Sequence, residues 1–282
     1  MKCCIICCER WGRLHIKYVG VINCYTYFTY FMSSPRIALC LTGLTGNLGK
    51  SGKDAALNPE YAYNHYKKHI LQTNDLVDVY IHSWSVEQEA FMNALYKPIK
   101  SMFEPQEHFN RSGAYLQREI FGVESRVNST LRCLALVQET EAEQDFRYDY
   151  VMVSRFDVAF TSDVHFSELP PQRLVLSHWN DRGLTNNILR GIYDLWFIGN
   201  TELLHTYFTA CNADYSLSER SHTFWRILIH KLGLDPHYHL YVGRDYDLVR
   251  RMYYDGHGKL NTKHYTYPTA MESRLHYYRH YM

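Results

Sequence analysis

The chain has 282 residues, of which 46% are apolar and 21% charged, enough for one large domain or two small ones with a sizeable core. Lys and Arg number 30 against 29 Asp and Glu, and this near-neutral balance excludes the basic field that wraps nucleic acid. The 25 Tyr and 16 His suit an aromatic-lined carbohydrate site and suit tyrosine-filled strands equally, so composition leaves both open.

Five of the eight cysteines, Cys3, Cys4, Cys7, Cys8 and Cys24, precede residue 32; Cys40, Cys133 and Cys211 belong to the body. A disulfide framework spreads its cysteines across the fold, so the body reads as a cytoplasmic protein of a reducing compartment. Cys4 and Cys7 lack a second His or Cys pair at zinc spacing, which favours a tail over a metal site. Arg10, Arg13 and Lys17 precede an apolar run from Tyr18 to Met32 that is interrupted by Asn23, Thr26 and Thr29. The run falls short of the roughly 20 residues that span a bilayer, so it is a weak anchor or signal candidate at most. The expected organisation is an extension over 1–32, disordered or in peripheral contact with a membrane, and a single domain over 33–282.

From residue 36 strand-like and helix-like segments alternate, the pattern of a sheet with crossover helices and an α/β class. Ile37 to Leu41 is a continuous apolar run ending in Thr42 and Gly43, a buried first strand. Asn58 followed by Pro59 is an N-cap and first-turn signal, opening a helix to about Thr73. Leu76 to His82 is the second strand, 85–95 a helix, and Ser125 to about Glu143 a longer amphipathic helix. Strands follow over 148–156, Arg173 to Ser177 and Asp194 to Ile198. Helices begin near Asn200 and Ser218, the second ended by Gly233, and a last strand near His239 to Val242 leads into a short helix.

The stretch Tyr148 to Phe160 carries the strongest chemical signal, because its apolar strand presents Arg155 and Asp157 close together at the far end. Open α/β sheets bind ligands at the carboxyl ends of their strands, where one carboxylate can hold a divalent cation against a phosphate. Arg155 can instead neutralise a phosphate directly as a fixed cation. The loop from Gly43 to Ser51 ends in Gly-Lys-Ser, but counting back from Gly49 puts Leu44 where the phosphate cradle needs glycine. A ligand-binding loop whose glycines let a ligand approach the backbone is the better reading, with a phosphotransferase through Lys50 as the alternative.

Five segments in order carry a family resemblance: Ile37 to Gly43; Asp78-Val-Tyr-Ile-His82-Ser-Trp84; Tyr96-Lys-Pro-Ile-Lys100 with Glu104; Tyr148-Asp-Tyr with Arg155-Phe-Asp157; and Asp194-Leu-Trp-Phe-Ile-Gly199. Together, over roughly residues 36 to 250, they resemble the GT-A-type sugar-nucleotide glycosyltransferases of bacterial surface-polysaccharide clusters and large algal viruses. The resemblance implies an open, mostly parallel twisted sheet with helices on both faces. It implies transfer of a sugar from a UDP-linked donor such as UDP-xylose to a hydroxyl of a glycan or glycoprotein acceptor, in the host cytoplasm for a viral member.

In that family Asp157 matches the last acid of a metal-binding Asp-x-Asp motif that would hold Mn²⁺ or Mg²⁺, and Arg155 stands where the earlier acid is expected. His239 is a candidate late metal ligand, with His237 beside it. Thr42 and Gly43 fall near the nucleoside, and His82 and Trp84 near base or ribose. Asp194 matches an acceptor-side base for inverting transfer, with Asp181 as its competitor. His178, Trp179 and Asn180 fall in a loop that mixes an aromatic ring with hydrogen-bonding groups suited to an acceptor sugar. A non-catalytic carbohydrate-binding module is the remaining alternative.

Overall fold

The computed structural model describes residues 4–8, 14–18, 34–45, 57–107, 117–178, 192–213, 215, 221–242 and 244–253. The chain divides into two compact units, Met1–Ser33 and Ser34–Met282. In the first, β1 (Cys4–Cys8) and β2 (Leu14–Tyr18) pair antiparallel. No helix among the described residues is long and apolar enough to cross a membrane.

The second unit is an α/β fold consistent with the GT-A-like class. It is built on β3 (Arg36–Gly43), β4 (Leu76–Ser83), β5 (Lys100–Phe103), β6 (Tyr150–Arg155), β8 (Val175–His178), β9 (Trp196–Gly199) and β10 (His237–Tyr241). Their order across the sheet is β10-β8-β9-β6-β3-β4-β5, and β9 alone among them runs antiparallel to its neighbours. A separate antiparallel pair joins β7 (Val158–Phe160) to β11 (Tyr246–Leu248).

A strand buried on both faces needs apolar side chains at every position, and β3 shows it. Ile37, Leu39 and Leu41 enter one core with Ala62, Tyr66 and Ile70, while Ala38 and Cys40 enter the other with Val127, Leu134 and Val137. The first core is covered by α1 (Pro59–Tyr66) and α2 (Glu89–Tyr96), the second by α3 (Gln117–Gln144), α4 (Thr201–Ala213) and α5 (Ser221–Lys231). Each fully buried large apolar side chain contributes about 1.5–3 kcal/mol. After α5, Gly233 takes φ +64°, the left-handed turn that ends a helix at glycine.

Local signals placed α1 correctly: the Asn58 side chain accepts from the Glu60 backbone N–H at 2.9 Å, and Pro59 sits in the first turn. The helix then widens into a π-turn over Lys67–Leu71, which the sequence does not announce. The segment 85–95 divides into a 3₁₀ turn, Val86–Gln88, followed by α2. Strands β1, β2, β5, β7 and β11 are additions to what the sequence predicts; α6 (Val249–Tyr253) is the short helix expected near the end.

One topological consequence positions the site. From β3 the chain builds outward through α1 to β4 and β5, then crosses back under α3 to β6 on the other side of β3. Right-handed crossovers in opposite directions put their helices on opposite faces, so α1 and α3 part where β3 and β6 meet. A doubly wound sheet forms its ligand crevice at that point, beyond the carboxyl ends of the strands.

Candidate functional site

Thr42 and Gly43 end β3, His82 lies near the end of β4, Arg155 ends β6 and His178 ends β8. Asp194 precedes β9, and because β9 runs backwards its start reaches this same edge. The strand directions therefore align candidates that are up to 152 positions apart in the chain along one rim.

Arg155 grips Asp157 side-on, Nε to Oδ1 at 2.8 Å and Nη2 to Oδ2 at 2.6 Å. Asp157 is buried while the Arg155 side chain is one-third exposed, so the guanidinium, not the carboxylate, faces outward. Burial lowers the Arg155 pKa, but the Asp157 charge outweighs it and holds the guanidinium above its usual value. From the other face, Tyr66 on α1 donates to the Arg155 carbonyl at 2.6 Å and lies 2.6 Å from the Ser154 hydroxyl, fixing the strand end.

Behind this pair lies Arg126 of α3, which the sequence reading missed. Its Nη2 donates to the Leu195 carbonyl at 3.1 Å, and its guanidinium lies over Phe197 at 5.6 Å. Both Nε and Nη1 are buried and have no hydrogen-bond partner among the described residues. Burial pushes its pKa down to about 10, against the pull of Asp194. An unpaired buried donor costs roughly 1–3 kcal/mol, so this arginine is an expense to stability. An arginine in an amphipathic helix reads as a solvated face, and nothing in the local pattern marks it as buried.

Asp194 accepts from Trp225 Nε1 at 2.9 Å on one oxygen and faces His222 Nδ1 at 3.3 Å with the other. Burial pushes its pKa up, yet His222, Arg126 and Arg155 together hold the carboxyl well below the usual range. A carboxylate that acidic is a weak proton acceptor at neutral pH. His222 is stacked on Tyr193 with ring centroids 5.4 Å apart. Asp194 and the His222 ring thus lie side by side at the start of β9.

The remaining candidates take other parts. His82 is fully buried: Nδ1 lies 2.7 Å from Ser129 Oγ and Nε2 2.7 Å from Glu104 Oε1. Trp84 is also buried, edge-on to His82, with Arg132 over its ring at 5.0 Å. Both residues therefore brace β4 and β5 against α3 instead of presenting a side chain to a base or ribose. Thr42 Oγ1 turns inward to the Ser154 carbonyl at 3.4 Å. Gly43 has φ +97°, donates its N–H to Ser129 Oγ, and has open space where a side chain would stand.

His178 stacks on Tyr241 at 4.1 Å, forming an aromatic step between β8 and β10. Trp179, Asn180, Asp181 and the loop from Gly46 to Ser51 lie outside the described residues. Arg244 is engaged by Asp245 at 2.7 Å and by the Tyr241 ring at 4.2 Å.

As a metal ligand, Asp157 has both oxygens committed to Arg155, and His239 belongs to the edge strand β10, three strands from β6. Among the described residues no three His, Cys, Asp or Glu side chains gather in a group able to hold a metal ion. Asp157 and His239 are therefore not gathered into one ligand set. A cavity of about 590 Å³ opens at the opposite edge of the sheet, lined by residues including Glu141, Tyr148, Asp149 and Thr201, and it includes none of these candidates. No protein-family model matches the chain, and no curated protein matches it.

Proposed function

We propose that this chain is a glycosyltransferase that moves a sugar from a nucleotide-linked donor to a hydroxyl of a glycan acceptor. The observation that carries this reading is Arg155, held flat by Asp157 and one-third exposed at the β3–β6 switch point. A planar guanidinium with a fixed orientation suits phosphate oxygens better than any other side chain. The donor, UDP-linked and with a sugar such as xylose, lays its nucleoside over Gly43 and its diphosphate against Arg155.

The acceptor enters from the His178 and Asp194 side. Its hydroxyl oxygen bonds to the anomeric carbon as the bond from that carbon to the diphosphate oxygen breaks. The leaving diphosphate takes the electron pair, and the hydroxyl proton passes to His222 as oriented by Asp194. The acidity of Asp194 supports this division of labour over a direct role as base.

A thermal-shift screen of nucleotide sugars on the full chain, with mass spectrometry of glycan products, tests the reading. A ligand at 100 times its dissociation constant stabilises the native state by about 2.7 kcal/mol, a shift of several degrees. One nucleotide sugar should raise the melting temperature and yield a glycosylated product. No shift with any nucleotide sugar, together with no transfer, would remove it.

A further inference from the structure

We infer that Arg155 occupies the place of a divalent cation, so that this chain binds the diphosphate of its donor without a metal ion. This inference deepens the glycosyltransferase reading and rests on it. A metal-bridged diphosphate needs carboxylate oxygens on one side of a cation and phosphate oxygens on the other. Here the cation between them is covalently supplied. Both Asp157 oxygens receive N–H groups from one edge of the Arg155 guanidinium, at 2.8 and 2.6 Å.

An arginine carries five N–H donors, and this pair uses two. Both N–H groups of Nη1 and the second of Nη2 remain on the other edges of the same rigid plane. Asp157 thus does for Arg155 what it would do for a metal: it fixes the cation at the mouth of the crevice. A phosphate can be bound without breaking the pair, so no buried carboxylate is left uncompensated.

Arg126 adds the second positive charge. Its buried guanidinium has Nε and Nη1 without partners among the described residues and lies close enough to Asp157, Arg155 and Asp194 to act on all three electrostatically. The two guanidiniums balance the Asp157 and Asp194 carboxylates, so the crevice does not repel an incoming anion. A divalent ion at Asp157 would have to displace Arg155 from both oxygens and then sit beside it, cation against cation.

Isothermal calorimetry of UDP with the full chain, in EDTA and again in Mn²⁺, reads this directly. The expected result is a dissociation constant that differs less than about threefold between the two buffers, and that weakens about tenfold or more in Arg155→Met. Arg155→Lys keeps the charge but loses the planar fork, and should fall between, with circular dichroism reporting that each variant is folded. Asp157→Asn should weaken UDP equally in both buffers, since it loosens Arg155 and removes no metal ligand. Binding that requires Mn²⁺ overturns the inference while the glycosyltransferase reading stands; UDP binding that Arg155→Met and Arg155→Lys leave unchanged overturns the inference and takes Arg155 out of the donor site, so that the glycosyltransferase reading rests on the thermal-shift and product measurements alone. Absence of binding by UDP and by every other nucleoside diphosphate, in both buffers, overturns both.

Discussion

His82 and Glu104 are joined ring to carboxylate, Nε2 to Oε1 at 2.7 Å, and this contact ties the end of β4 to the segment that follows β5. Arg132 of α3 pairs with the same carboxylate, and Ser129 holds the other ring nitrogen. One acid thus satisfies a fully buried imidazole and a guanidinium from a different element.

Glu104→Ala leaves the buried His82 ring short of an acceptor, while Arg132 keeps Glu107, and should cost about 1–3 kcal/mol. Glu104→Gln keeps an acceptor for the ring and should cost less than half as much. Urea denaturation of the three proteins measures the difference; equal midpoints for all three would mean the contact contributes nothing.

His65 on α1 sets a pH dependence. It is buried, with Nδ1 2.5 Å from the Phe160 carbonyl and Nε2 2.7 Å from the Tyr253 hydroxyl. Burial pushes its pKa down from 6.5 to about 4, with His69 and Lys68 adding to the shift against the Phe160 carbonyl. The unfolded chain binds the proton first, so the stability from a neutral His65 is present above pH 6.5. It is lost as the pH falls toward about 4. Between pH 7 and 4.5 this group should remove roughly 2–3 kcal/mol. His69 and His82 are lowered as well, burial being the main cause, and act in the same direction. The loss measured for the wild type should exceed that for His65→Gln.

Gly43→Ala separates backbone from space. Nothing lies within 4 Å of the added methyl group, but φ +97° is a conformation that alanine resists. The substitution should therefore lower stability by about 1–2 kcal/mol without any steric clash. It should also weaken nucleotide-sugar binding, because the methyl group fills the open space beside the β3 end. Unfolding midpoints and calorimetry read the two effects separately.

Asp194→Asn removes the charge that orients His222 and keeps an acceptor for Trp225 Nε1. Donor binding should stay within about threefold of wild type while turnover falls about 10²–10⁴-fold. Undiminished turnover would place the base elsewhere.

Local signals made much of this fold legible. The Asn58–Pro59 start of α1 depends on neighbours in sequence, and the apolar runs of β3 and β6 reflect burial on both faces. Strand β5 is four residues of an edge with one exposed and three half-buried positions, so it carries no apolar run to recognise. The reversed direction of β9 is set by long-range pairing and leaves no mark in composition.

The site divided in the same way. Arg155 and Asp157 are two residues apart, and their union follows from a strand end. His82 and Trp84 look like rim residues in sequence because they also close a strand, but α3 covers them. Arg126 was invisible because only tertiary packing decides which arginines of a long helix lose their solvent.

That same helix makes two regions mechanically one. Within α3, Arg126 reaches the charged cluster while Ser129 and Arg132, about 5 and 9 Å further along the axis, hold the β4–β5 corner. A rod this stiff cannot roll at one contact and stay still at the next. Tuning the anion crevice by evolution or design therefore means retuning the brace at the sheet's far corner, and the two are inherited together.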